Sequence, residues 1–155
     1  HTDATREVQF SLGYANVNGA GSSGNSTKST LGRRQSKALY GQFRNLLLPP
    51  NTSEFNFGGS DTQSNEDFYF ISFNRARMRE KVNPGNWELH LDGAANKVRL
   101  IDDSVANPTG NTGQGGRVFN VISGSIADRT PTISAAHATL TTNTGSFGLF
   151  YPELA

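Results

Sequence analysis

The chain has 155 residues, a net charge of +1 from 14 basic and 13 acidic groups, and no cysteine. That balance excludes the basic excess of a dedicated nucleic-acid binder, and the missing thiols exclude disulfides and thiolate metal sites. Gly, Ser, Thr and Asn supply 61 residues and hydrophobic side chains only 34%, so the expectation is one domain of short strands and long polar loops, its thin core carried by ten Phe, four Tyr and one Trp.

In chain order, Arg6 to Leu12 alternates weakly and predicts a short strand. Residues 16–30 (NVNGAGSSGNSTKST) are rich in Gly and Ser and predict a flexible loop. A helix is predicted from Ser36, its cap, to residue 48. Leu39, Tyr40, Phe43, Leu46 and Leu47 form one stripe, and Pro49 and Pro50 stop it. Gly41 weakens that helix by about 1 kcal/mol, so it must dock on a sheet or on a neighbouring chain. Phe55 and Phe57 alternate as in a short edge strand.

Asp67 to Leu91 reads as a hairpin. The first strand is long, with Phe68 and Phe70 followed by Arg75, Arg77, Arg79 and Lys81 on alternating positions. A turn at Asn83-Pro84-Gly85-Asn86 leads to a second strand centred on Trp87, Leu89 and Leu91. Further strands are expected at Lys97–Asp102, Arg117–Ile126, Ala138–Thr142 and Gly145–Tyr151, with a turn-rich loop at 103–116. The class is mainly β: an antiparallel β-sandwich, or an antiparallel sheet with one amphipathic helix packed on it.

No constellation supports catalysis. His1, His90 and His137 lack the partners of a nucleophile or a metal site; Asp128 and Ser134 are the only groups near His137, and no G-x-S-x-G elbow occurs. Asp102-Asp103 with Ser104 and Asn107 lacks the alternation and distal Glu of a calcium loop, and reads as strand-end acids opening a turn. The Gly19–Gly21 and Gly113–Gly116 segments are not phosphate loops, since no lysine-bearing helix follows either one. Asn25 and Asn51 open short sequons of the kind an Asn-rich chain holds by chance. Glu66, Asp67, Glu80 and Glu88 are acids with no spacing that would place a pair across a sugar bond. The expectation is therefore no catalytic residue, no cofactor, no metal and no membrane span.

Five segments carry a resemblance: Tyr40–Pro49 (YGQFRNLLLP), residues 68–91 (FYFISFNRARMREKVNPGNWELHL), LIDDS at 100–104, VFNVISGS at 118–125, and GSFGLFYPELA at the end. On these the chain resembles structural proteins of tailed bacteriophages, particularly the myovirus-type phages of cyanobacteria. The resemblance implies a non-enzymatic virion component that packs with other virion proteins, and with copies of itself, in the tail, baseplate or head surface. Expected contacts with other chains are Arg75, Arg77, Arg79, Tyr40, Phe43, Leu47, Phe150 and Tyr151. The start at His1 and the apolar end read as those of a piece of a longer polypeptide. The alternative reading is a receptor- or glycan-binding adhesin domain, with Trp87 and exposed Tyr residues stacking on sugar rings and the polar loops supplying hydrogen bonds.

Overall fold

The computed structural model describes residues 7–21, 29–57, 65–77, 80–92, 97–133 and 146–154. It is mainly β, with antiparallel pairing throughout and a single long helix. The elements are β1 (Phe10–Asn16), α1 (Ser29–Leu47), β2 (Asp67–Phe73), β3 (Leu89–Asp92), β4 (Lys97–Asp102), β5 (Asn111–Gly113), β6 (Gly116–Ala127), β7 (Thr130–Ile133) and β8 (Gly148–Phe150), with a 3-10 turn at Arg75–Arg77.

Two sheets result. β1 and β2 pair along seven residues, from Phe10 opposite Phe73 to Asn16 opposite Asp67, as a separate ribbon. The other six strands gather on β6. That strand is twelve residues long and meets β5, β8, β4 and β7 at successive stretches; β3 adds to β4. A two-residue loop joins β6 to β7, and Asp128 and Arg129 both take positive φ, 49° and 64°. That pairing matches the right-handed twist of a tight hairpin.

Helix α1 lies on one face of the ribbon. Tyr40, Phe55 and Ala15 are buried, with Phe43, Phe68, Leu39 and Leu47 packed around them. The rings interlock edge to face: Phe68 is 4.8 Å from Phe55, 5.3 Å from Tyr40 and 6.0 Å from Phe43, and Phe43 is 4.5 Å from Phe70. Gly13 faces Phe70 across the strands, and a Cβ there would stand 2.2 Å from the ring. Glycine at this position is what lets the ring lie flat on the ribbon.

Several sequence expectations change. The helix starts at Ser29, not at Ser36. Ser36 is buried mid-helix and donates to the Ala20 carbonyl at 2.9 Å, which ties α1 to the turn after β1 instead of capping it. The predicted flexible loop 16–30 therefore includes the end of β1, a turn in which the Asn16 carboxamide accepts from the Asn18 and Ala20 amides, and the first residues of α1. Residues 22–28 lie outside the described residues.

The long basic strand and its hairpin are not formed. β2 stops at Phe73 because Asn74 turns its side chain on the backbone: Oδ1 accepts from the Ala76 amide and Nδ2 donates to the Val8 carbonyl. Such local bonding competes with the ladder. Arg75 and Arg77 sit in the 3-10 turn, so they do not share a strand face. The Asn83–Asn86 turn is present, yet the runs on its two sides belong to different sheets. Trp87 precedes β3 instead of centring it. Phe55 makes an isolated bridge to Asn65. Of the loop predicted at 103–116, residues Asn111–Gly113 form β5. The strand expected at Ala138–Thr142 lies outside the described residues, as do Arg79, His1, Ser134 and His137.

Candidate functional site

Alternation along β1 and β2 sends Ala15, Phe68 and Phe70 to the helix and Phe10, Leu12, Tyr14, Tyr69, Ile71 and Phe73 to the opposite face. Tyr14 and Phe73 on that face are half-buried, with Gly21 against the Tyr14 ring, and among the described residues the rest of the face is open. Tyr69 is 75% exposed, Leu12 66% and Phe10 56%; Ile71 is also exposed, as is Val8 just before β1. The cross-strand pairs hold together as a surface, with the Phe10 and Phe73 rings 6.3 Å apart and the Tyr14 and Tyr69 rings 5.2 Å apart. These side chains present on the order of 600 Å² of contiguous surface, the upper end of what one monomer usually exposes.

The face has a polarity along the strands. At one end Glu66 and Asp67 are exposed, and Asp67 Oδ2 accepts from the Tyr14 hydroxyl at 2.9 Å. That neighbouring carboxylate holds the Tyr14 phenol above its ordinary pKa. At the other end Arg75 and Arg77 follow β2, where Arg77 pairs with Glu7 and Arg75 donates to the Glu153 carbonyl.

No protein-family model matches the chain, and neither a curated protein nor a solved structure matches it. The site is argued from its own geometry.

The residues expected at contacts with other chains divide. Tyr40 is 3% exposed: its hydroxyl donates to the Asn65 carbonyl at 2.7 Å and accepts from the Phe55 amide. These bonds are made within the chain. Phe43 and Leu47 are half-buried in the same cluster. Phe150 packs on Trp87 at 5.1 Å and on Phe119 at 6.3 Å, and Tyr151 is half-buried, its phenol pushed up to about 12 by burial. Arg75 and Arg77 are exposed. The apolar ribbon face itself went unnoticed in the sequence. The signal was available in DFYFISF, where both alternating sets hold large apolar residues (Tyr69, Ile71 and Phe73; Phe68 and Phe70), one more face than a single helix covers.

The acids are not gathered. Asp102 and Asp103 are fully buried and act as joints: Asp102 accepts from the amides of Gly85 (2.8 Å) and Ser104 (3.0 Å), and Asp103 accepts from the backbone and side-chain nitrogens of Asn120 (2.9 and 2.8 Å). Burial pushes the Asp103 carboxyl up, against the pull of those bonds. Strand-end acids opening a turn describe them, since the Asp103 carbonyl accepts from Ala106 and Asn107. Glu88 accepts from the Ile126 amide and pairs with His90, and the amide first, then His90, hold its carboxyl below the usual range. Among the described residues no three His, Asp or Glu side chains form a group able to hold a metal ion, and no helix is long and apolar enough to cross a membrane.

Proposed function

We propose that this chain is a non-enzymatic structural protein of a tailed-phage particle, and that it works by protein–protein assembly through the apolar face of the β1–β2 ribbon. One observation carries the reading: a seven-residue ribbon, apolar on both sides, with a helix on one side only. An apolar surface of this size marks an interaction site, because leaving it in water forgoes roughly 25 cal/mol per Å². The sequence resemblance to virion proteins supplies the setting, the tail, baseplate or head surface. In the sugar-binding alternative, Trp87 is half-buried against Phe150 and the exposed aromatic ring is that of Tyr69.

The test is particle composition. Mass spectrometry of gradient-purified particles of the phage that encodes the chain should find it in stoichiometric amount, and Leu12→Glu should reduce its incorporation at least tenfold while leaving the purified chain folded. A particle that lacks the chain, or that takes up the variant at the parental level, contradicts the proposal.

A further inference from the structure

We propose that the apolar face of the β1–β2 ribbon is covered by the same face of a second copy of this chain, the two ribbons packed face to face and antiparallel about a twofold axis that crosses the strands at Leu12 and Ile71. The inference rests on the assembly reading above and names the partner it leaves open.

Three features of the face select a second copy. The first is charge. Asp67 and Glu66 mark one end of the ribbon and Arg75 and Arg77 the other, about 20 Å away for a seven-residue strand pair. Arg77 is already paired with Glu7 at that end, so Arg75 supplies the surplus positive charge there. Turning a second ribbon end for end sets its net basic end over the acidic end of the first, and the reverse at the other end. The two ends are complementary in that orientation. A parallel stacking would set arginine over arginine and acid over acid, and like charges so placed cost several kcal/mol.

The second is shape. Three cross-strand pairs tile the face: Phe10 with Phe73, Leu12 with Ile71, and Tyr14 with Tyr69. The aliphatic pair is central and the aromatic pairs flank it. An in-plane twofold perpendicular to the strands lays each Phe pair over the other copy's Tyr pair and sets Leu12 against its own equivalent. Edge-to-face ring contacts follow without a gap, as between packed sheets about 10 Å apart. Closed twofold contacts of this isologous kind are the commonest in homo-oligomers.

The third is area. Covering about 600 Å² on each copy buries about 1,200 Å² in all, the lower bound of stable specific interfaces. Complete burial of the face would just reach that bound, so the area suits a weak, reversible dimer.

The experiment uses the full 155-residue chain. Sedimentation equilibrium should show a reversible dimer with a dissociation constant on the order of micromolar. Leu12→Glu should sediment as a monomer with unchanged circular dichroism and, at concentrations below the wild-type dissociation constant, an unchanged unfolding midpoint, because Leu12 is 66% exposed and no core contact depends on it. Asp67→Lys should weaken dimerisation about tenfold or more, and Asp67→Lys with Arg75→Glu should restore it. As the chain holds no cysteine, Leu12→Cys provides an independent readout. A short bis-maleimide should link it into covalent dimers, whereas Val105→Cys, exposed on the turn after β4, should stay monomeric. A wild-type chain that stays monomeric at about 100 µM, a Leu12→Cys variant that links no faster than Val105→Cys, or a dimer indifferent to Leu12→Glu overturns the pairing. Particle incorporation keeps the two proposals apart. If the chain is monomeric yet Leu12→Glu is lost from particles, self-pairing falls and another virion protein covers the face. If Leu12→Glu enters normally, the assembly reading falls as well.

Discussion

The ribbon with its helix and the sheet around β6 solve the same shortage of apolar residues in opposite ways. The sheet closes on itself: Phe119, Ile101 and Ile122 have no exposed surface, and Asp102, Asp103 and Asn120 are buried beside them with hydrogen bonds to one another and to the backbone. Its exposed apolar side chains, such as Leu91 and Val105, lie on different segments. The ribbon instead gathers exposed Phe10, Leu12, Tyr69 and Ile71 on one face. A chain this poor in hydrophobic residues does not strand several large ones on one surface unless something else covers them. The difference separates residues that hold the fold from residues available for contact, and substitutions should fall on one side or the other.

The largest effect is expected in the closed sheet. Phe119→Ala removes a fully buried ring and should cost about 3–5 kcal/mol in chemical denaturation. Next comes Asp103→Ala, which leaves both Asn120 nitrogens buried without an acceptor and should cost about 2–3 kcal/mol. The carboxyl pKa is raised in the fold, so this group's contribution is greatest at low pH and declines as pH climbs through the folded value. The cost of Asp103→Ala should therefore shrink from pH 4 to pH 7, by urea titration at each pH.

On the helix side of the ribbon, Gly13→Ala drives a methyl into the Phe70 ring and should cost about 1–3 kcal/mol. Gly41→Ala tests the opposite sign. It sits inside α1 with open space where a Cβ would go, so the midpoint should rise by an amount equivalent to up to about 1 kcal/mol. Glu88 gives a smaller, pH-dependent contribution. Its carboxyl is held low by the Ile126 amide and by His90, so its stabilisation is present above the ordinary glutamate value of 4.5 and is lost as pH falls through the depressed value. Glu88→Gln should flatten the wild-type loss of stability in that acid range. Leu12→Ser, on the open face, should change folding stability by no more than about 0.5 kcal/mol.

How much of this was legible in the sequence depends on what each signal measured. The class, the helix with its Pro49–Pro50 stop, and the strands at 97–102 and 117–126 followed from periodicity, which reports local burial. Pairing did not follow. Residues 67–73 and 89–92 are near in sequence and separated by a turn, yet each found its partner elsewhere, 67–73 with β1 across the whole of α1. The period-two pattern at Arg75 and Arg77 was overridden at Asn74, whose side chain bonds the backbone locally and opens a 3-10 turn. The candidate surface was present as the odd-numbered residues of DFYFISF, but only the pairing with β1 shows that Phe10 and Leu12 join them. For Tyr40 an apolar stripe on a helix states that something is covered, not by what; within the chain its neighbours are Phe55 and Phe68.

Hydroxyl-radical footprinting of Tyr69, in the free chain diluted below the dissociation constant of its dimer and in the assembled particle, tests the central claim most directly. Tyr69 is 75% exposed on the isolated chain, and the account predicts strong oxidation there and marked protection after assembly, alongside Phe10. Equal oxidation of Tyr69 in both states would show that the ribbon face stays in water, and would contradict the account.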